Sequence, residues 1–301
     1  TERAAKVKAE KDAWEKELDA WTHERDPYSL DMIDEAKGER TPTGGTYLHP
    51  RQVLRELEKA MPKRVMVSTD IGNINAVANS YLRFDEPRSF FAPMSFGNCG
   101  YSLPTMIGAK AAAMDRPAVA YAGDGAWAMS MVEILTAVRH DIPVTAVVFH
   151  NRQWGAEKKN HVDFYSQRFQ AVNLANPSWA AVAKAFGCEG VTEEKLSDVG
   201  PALRSAVKAQ ADGKCTVLEM MVTQELGDPF RRDALSKPVP LEEWFEPAPG
   251  FRARFWNAGH ILGAASAEIT PPPGISTGRS ALRPRFSRAW PMQRAASSAC
   301  A

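Results

Sequence analysis

Asp124 stands between Gly123 and Gly125, where the apolar run AVAYA (118–122) gives way to a helical pattern. The glycines permit a tight strand-to-helix turn and a close approach of backbone to a ligand. The N–H groups of Gly125, Ala126 and Trp127 would then point out of a new helix, where a phosphate is welcome. A carboxylate in the same turn repels that phosphate. The two agree only if a hard cation lies between them, and Mg²⁺ is held in this manner by few protein ligands. Gly-Asp-Gly alone also makes ordinary turns. The second half of the pattern is NRQWG (151–155), one helix and one strand further on. The side-chain oxygen of Asn151 and a main-chain carbonyl near Gln153 would complete a metal site with Asp124, an all-oxygen donor set that Mg²⁺ prefers. By itself Asn151 is a turn residue; the pair is far more specific than either half.

The elements that must position these residues alternate along the chain. Residues 2–25 read as a charge-rich helix with Val7, Trp14, Leu18 and Trp21 near one face, packed on a larger body. GERTPTGG (38–45) is a linker of structure breakers. Helices are expected at 50–60 (burying Val53, Leu54 and Leu57 behind Pro50), 74–82, 102–114, 127–140, 177–187 and 195–210, and strands at 64–69, 118–122, 144–150 and 215–222. Strands this uniformly apolar, separated by helices, predict an α/β fold with a parallel sheet covered on both faces. Ligands bind such sheets at the carboxyl ends of the strands, near a switch in strand order. Gly123–Gly125 and Asn151 are both at carboxyl ends.

With these residues in view, GDGAW (123–127) and VVFHNRQWG (147–155) resemble the diphosphate-binding motif of thiamine diphosphate enzymes. MSFGNCGYSLPTMIGAKAA (94–112) is similar to the matching stretch of the acetolactate synthase and pyruvate oxidase group, whose loop packs under the cofactor. The resemblance implies that Gly97 presents a backbone carbonyl to the aminopyrimidine, with Asn98 and Cys99 beside it. Cys99 stands where acetolactate synthases have a Met that props the cofactor into a bent shape. Either Tyr101 or Met129 takes over that wedge, or Cys99 is a buried, inert thiol. Within the group, STDIGNINAVANSYLRF (68–84), NRQWGAEKKNHVDFY (151–165) and QELGDPFRRDAL (224–235) look most like the sulfoacetaldehyde acetyltransferases. The likeness spans roughly residues 1–240. It implies thiamine diphosphate and Mg²⁺ as cofactors, and conversion of sulfoacetaldehyde and phosphate to acetyl phosphate and sulfite. Because both substrates are anions, Lys158, Lys159, His161 and Arg168 are candidate contacts; the alternative for each is a solvated, charged loop. Acetolactate synthesis, 2-oxoacid decarboxylation, or a non-catalytic remnant domain are the other readings. The resemblance also implies a homo-oligomer, with an activating Glu on a separate N-terminal domain acting across a dimer interface.

Other classes find no support in the composition. The net charge of +1 over 301 residues offers nothing to nucleic acid or to an anionic membrane, and no apolar run approaches the roughly 18 residues of a membrane span. Cys99, Cys188, Cys215 and Cys300 lack metal or disulfide spacing, and no secretory leader is visible, so the cytoplasm is the expected setting. The expected division is 1–45 for the N-terminal helix and linker, 46–245 for the cofactor domain, and 246–301 for an unrelated or disordered tail. In that tail AGHILG (258–263) is similar to one motif of metallo-β-lactamase-fold nucleases, but no H-x-H-x-D-H accompanies it, so His260 is not expected to hold a metal. Residues 270–301 carry five Arg and no Asp or Glu, a composition that cannot bury a core. Without an initiator Met or a Glu-bearing domain, the chain reads as a fragment or a split subunit. The purified 301-residue chain alone is therefore expected to make no acetyl phosphate from sulfoacetaldehyde and phosphate; production in a hydroxamate assay would overturn this.

Overall fold

Four-to-six-residue runs of β-branched and small apolar side chains form the centre of the molecule. The computed structural model describes residues 2–23, 31–34, 39–42, 47–224, 244–248, 251–257 and 265–270, in two units, Thr1–Arg232 and Asp233–Ala301. The first unit opens with α1 (Glu2–His23), then β1 (Asp31–Asp34) paired antiparallel with β2 (Glu39–Pro42). Next come α2 (Pro50–Ala60), β3 (Met66–Thr69), α3 (Asn73–Tyr81), β4 (Phe90–Phe91), α4 (Ser102–Ala112) and β5 (Ala118–Gly123). They are followed by α5 (Asp124–Ser130), α6 (Ile134–Arg139), β6 (Thr145–His150), α7 (Gly155–Phe164), α8 (Trp179–Ala185), β7 (Glu189–Glu193), α9 (Leu196–Ala209) and β8 (Thr216–Met221).

The six strands from β3 to β8 form one parallel sheet in the order β4-β3-β5-β6-β8-β7. Alternation along each strand sends side chains to two cores. Val67, Val119, Tyr121, Val147, Phe149, Leu218 and Met220 meet Leu54 and Leu57 of α2 and Leu203 of α9 on one face. Ala120, Ala122, Ala146, Val148 and Val217 meet Leu103 of α4, Ile134 of α6 and Trp179 of α8 on the other. The chain runs from β3 outward to β4, then returns to β5 on the other side of β3. That reversal opens a crevice at the carboxyl ends of β3 and β5, where a ligand has room.

The expected parallel α/β sheet is present, and Val53, Leu54 and Leu57 are buried on α2 behind Pro50 at its first turn. Several details differ. The helix expected at 127–140 starts three residues earlier, at Asp124, and is broken by a single 3₁₀ turn at Met131–Glu133, where Ser130 leaves helical geometry (φ −131°, ψ 1°). The linker at 38–45 contains β2. On α1 only Leu18 of the four expected apolar residues is fully buried; Trp14 and Trp21 pair edge to face at 5.6 Å and stay partly exposed, and Val7 is exposed. Packing is confined to the last turns of α1, where Arg51 Nη1 donates to the Trp21 carbonyl (3.0 Å) and Arg55 Nη2 to Glu15 (3.0 Å).

The second unit has β9 (Phe245–Ala248), β10 (Phe251–Asn257) and β11 (Ala265–Thr270), an antiparallel sheet in the order β11-β10-β9, at positions for which the sequence offered no elements. His260 and residues 271–301 lie outside the described residues. Among the described residues no helix is long and apolar enough to cross a membrane.

Strand β7 passes so close to α8 that a Cβ on Gly190 would lie 2.1 Å from the Ala180 carbonyl oxygen. Two backbones cannot yield as a flexible side chain does. Gly190→Ala is expected to cost about 1–3 kcal/mol, the usual range for overpacking, measured from urea denaturation midpoints.

Candidate functional site

The carboxyl ends of β3, β5 and β6 surround a cavity of about 200 Å³, whose wall includes Gly72, Gly97, Cys99, Gly123, Gly125 and Asn151. Ala126, Gln153 and Trp154 complete the side nearest β6. Gly97, Cys99, Gly123 and Asn151, far apart in sequence, thus share one space. A Cβ on Gly123 would meet nothing within 4 Å, so this glycine faces open cavity. Gly125 is different. A Cβ there would strike the Trp154 ring at 2.8 Å, so the absent side chain lets the indole close over the turn.

Asp124 lies just behind this wall, 1% exposed. Its Oδ1 accepts from the Gly125 N–H (2.9 Å), and its Oδ2 accepts from the Arg152 N–H (2.6 Å) and Asn176 Nδ2 (3.0 Å). Burial pushes its pKa up to about 6, against the pull of His150 and these hydrogen bonds. The Gly125 N–H, expected to face a phosphate, is committed to Asp124 because the helix starts at Asp124 itself. Asn151 lines the cavity, and its carbonyl accepts from Gln224 Nε2 (3.1 Å). Gln153 is pinned by its side chain, donating to the Gln224 carbonyl (3.0 Å) and accepting from Lys158 Nζ (3.0 Å). Among the described residues no three His, Cys, Asp or Glu side chains cluster as a metal site. A cation here would draw on Asp124, the Asn151 amide and main-chain oxygen, an oxygen-rich set suited to a hard ion.

The loop carrying Gly97 and Cys99 is anchored by Asp70, at the end of β3. Its buried carboxylate accepts from the Ile71 N–H (3.1 Å), the Gly100 N–H (3.0 Å), and the N–H (3.0 Å) and hydroxyl (3.1 Å) of Ser102. Gly97 and Gly100 take φ of 75° and 79°, a left-handed region that favours glycine. Asn98 is exposed and does not line the cavity. Cys99 is half-buried; burial, and then the charges of Asp70 and Glu157, push its thiol up to about 11. It is a neutral thiol in the cavity wall. Trp127 is 2% exposed in the core under the sheet, away from the cavity.

The four cationic candidates do not line the cavity. Nor does the alternative, a charged loop, describe Lys158, Lys159 and His161, which belong to α7. Lys158 is buried, with Nζ on Gln153 Oε1 and Gln224 Oε1 (3.1 Å) and 5.7 Å above the Phe169 ring. His161 lies against Tyr165 and Phe169, and Arg168 is exposed with Nε on the Tyr165 carbonyl (3.1 Å). Two residues outside the motif reading share the cavity instead. Gly72 caps α3 with φ 120°, and Asn73, the first residue of α3, has no hydrogen-bond partner among the described residues for either its buried amide oxygen or its nitrogen. Asn73 packs so closely on Gly155 that a Cβ there would lie 2.8 Å from its Nδ2. The sequence signal was Gly-Asn after an apolar strand, the same punctuation that marks Gly123.

Behind Asp124 is a second buried carboxylate, Glu219 of β8. Its oxygens accept from His150 Nδ1 (2.7 Å), the Trp179 N–H (2.9 Å), Ser178 Oγ (2.8 Å), the Ala180 N–H (3.2 Å) and Thr192 Oγ1 (2.8 Å). Burial alone would raise its pKa, but these donors outweigh it and hold the carboxyl down to about 2.

Residues 70–220 match the family described as "Thiamine pyrophosphate enzyme, C-terminal TPP binding domain", and the chain belongs to that family. It is 77% identical over 240 residues to the sulfoacetaldehyde acetyltransferase of Alcaligenes xylosoxydans xylosoxydans, covering 79% of this chain and 40% of the relative. The Castellaniella defragrans protein of the same name is 71% identical over 243 residues, with coverage of 80% and 40%. The chain spans about 40% of the length of these curated relatives. Among solved structures, benzoylformate decarboxylase from Polynucleobacter necessarius superposes with a TM-score of 0.52 at 25% identity, over 58% of this chain and 33% of that one.

The depressed carboxyl of Glu219 fixes the sign of one pH effect. A folded-state pKa below the unfolded value contributes stability above the unfolded pKa, which is lost as pH falls through the folded one. Here that window runs from 4.5 down to about 2. Urea midpoints of the wild type are expected to fall across it, and Glu219→Gln should flatten that portion of the profile while lowering stability at neutral pH.

Proposed function

We propose that this chain is the cofactor-binding part of a thiamine diphosphate-dependent acetyltransferase that takes sulfoacetaldehyde and phosphate to acetyl phosphate and sulfite. The observation that carries the reading is the convergence of Gly123, Asn151 and Gly97 on one cavity with Asp124 behind it, in a chain 77% identical to a named sulfoacetaldehyde acetyltransferase. The residues fit the group. Gly123 faces open space, Asn73 offers an amide with both polar atoms unsatisfied among the described residues, and Asn151 brings its side-chain amide to the same cavity.

In this reading Asp124, Asn151 and a main-chain oxygen near Gln153 hold Mg²⁺, which neutralises the diphosphate. Gly72 and Asn73 supply neutral hydrogen-bonding groups from the opposite wall, at a helix N-terminus where anions are favoured. Gly97 presents main-chain oxygen from the loop that Asp70 anchors. Trp154 and Ile71 keep water from the floor of the cavity. When bound, thiamine diphosphate supplies the carbanion chemistry that the protein's own side chains lack. Lys158 acts indirectly, by holding Gln153 and Gln224 beside Asn151, rather than by touching a substrate anion. The proposal includes a homo-oligomer working in the cytoplasm, with the activating Glu brought by a separate domain across a dimer interface.

Calorimetric titration tests the cofactor half. Thiamine diphosphate should bind the chain with Mg²⁺ and not with EDTA, and Asp124→Ala should weaken Mg²⁺-dependent binding by about tenfold or more, as loss of a charge-assisted ligand implies. Equal binding in EDTA would remove Asp124 from the metal. Assembled with a domain carrying the activating Glu, the protein should release sulfite from sulfoacetaldehyde; pyruvate consumption without sulfite would move it to 2-oxoacid chemistry.

A further inference from the structure

His150 ends β6, one residue before Asn151, and its ring lies between two buried carboxylates. On one side Nδ1 is 2.7 Å from Glu219 Oε1. On the other Nε2 is 3.9 Å from Asp124 Oδ2, and this nitrogen has no hydrogen-bond partner among the described residues. All three side chains are nearly inaccessible, at 1–2% exposure. Parity along the strands explains the alignment. Asp124 follows Ala122, His150 follows Val148, and Glu219 follows Val217 on the same face of the sheet.

Glu219 cannot rotate without breaking contacts to five donors, which come from β6, the start of α8 and β7. Its fixed oxygen therefore sets the plane of the imidazole. The Trp179 ring, 6.2 Å away between centroids, bounds the imidazole from α8. From these contacts we infer that Glu219 and His150 are positioning residues for Asp124, with the Nε2 edge of the ring confining the carboxylate just behind the cavity wall. Among the described residues Asp124 is otherwise held by the Gly125 N–H at the start of α5, the Arg152 N–H just after β6, and Asn176. Without the ring, the carboxylate gains room to turn away from the cavity. The inference rests on the proposed role of Asp124 in holding a divalent cation. Groups that orient a metal ligand in this way change metal affinity about 10–100-fold when removed.

The test separates positioning from a merely structural role. His150→Asn keeps an amide donor where Nδ1 bonds Glu219 and deletes the edge that faces Asp124. His150→Gln places an amide near the Nε2 position. Leu203→Ala opens the core on the other face of the sheet and touches none of the three side chains. Each 301-residue chain is titrated with Mg²⁺ at saturating thiamine diphosphate, following intrinsic tryptophan fluorescence, and its urea midpoint is measured. The expected result is a half-saturating Mg²⁺ concentration raised about tenfold or more in His150→Asn, partly restored in His150→Gln, and unchanged in Leu203→Ala although that variant loses stability. Wild-type Mg²⁺ dependence in His150→Asn, or affinity losses that follow stability across all three variants, would overturn the inference and leave the cofactor reading intact. A wild-type chain with no Mg²⁺-dependent binding would overturn both.

Discussion

A carboxylate buried at the end of a strand is costly unless every lone pair finds a donor. Asp124 draws three donors from different parts of the chain, namely the next residue of its own turn, the N–H of Arg152 after β6, and the amide of Asn176 before α8, and burial still lifts its carboxyl to about 6. The satisfaction of one charge thereby fixes the exit of β5 against the exit of β6. Asn151, one residue before Arg152, is delivered to the cavity by the same constraint. The geometry of the candidate site is in this sense a consequence of electrostatic accounting around a single side chain. Asp70 repeats the device one strand away, where a buried carboxylate ties the end of β3 to the loop carrying Gly97.

The sheet supplies the frame on which these ties act. Parallel strands place all carboxyl ends on one edge, and the reversal in order beside β3 separates the helices there. Small residues then decide how near the backbone comes to the opened space. Gly123 leaves the cavity clear, whereas Gly125 and Gly155 admit the Trp154 ring and the Asn73 amide. Three glycines at one rim thus serve two purposes, clearance for a ligand and clearance for neighbouring side chains.

Much of this was legible in the sequence because it depends on residue type within short windows. The strands β3, β5, β6 and β8 are continuous apolar runs, and Gly123–Gly125 and Asn151 are conspicuous as breaks at their ends. What escaped depends on pairing at a distance. Helix α7 has charges on all sides, so no apolar period marks it, and only the burial of Lys158 against Gln153 and Gln224 shows that one of those charges faces inward. The short edge strand β7, with Glu at both ends, carries no alternation strong enough to separate it from a loop. Glu219 sits inside CTVLEMMV as a lone polar residue. Its partners come from residues 150, 178–180 and 192, which no local pattern connects.

The charges near the cavity share a property that bears on what the cavity can bind. Asp70, Asp124, Lys158 and Glu219 are all buried, and their recorded hydrogen bonds go mainly to neutral amides, hydroxyls and main-chain groups. Such partners stabilise a charge without cancelling it. The field of Asp124 therefore still reaches the cavity, 1% exposed though it is, while Lys158 is turned toward Gln153 and Gln224 and away from the wall. An anion entering the cavity meets the Asn73 amide and main chain, with Arg51 and Glu157 also on the wall, and behind them the negative charge of Asp124. A diphosphate bound there would be repelled by Asp124 unless a hard cation lay between them, which is why the proposed site includes Mg²⁺.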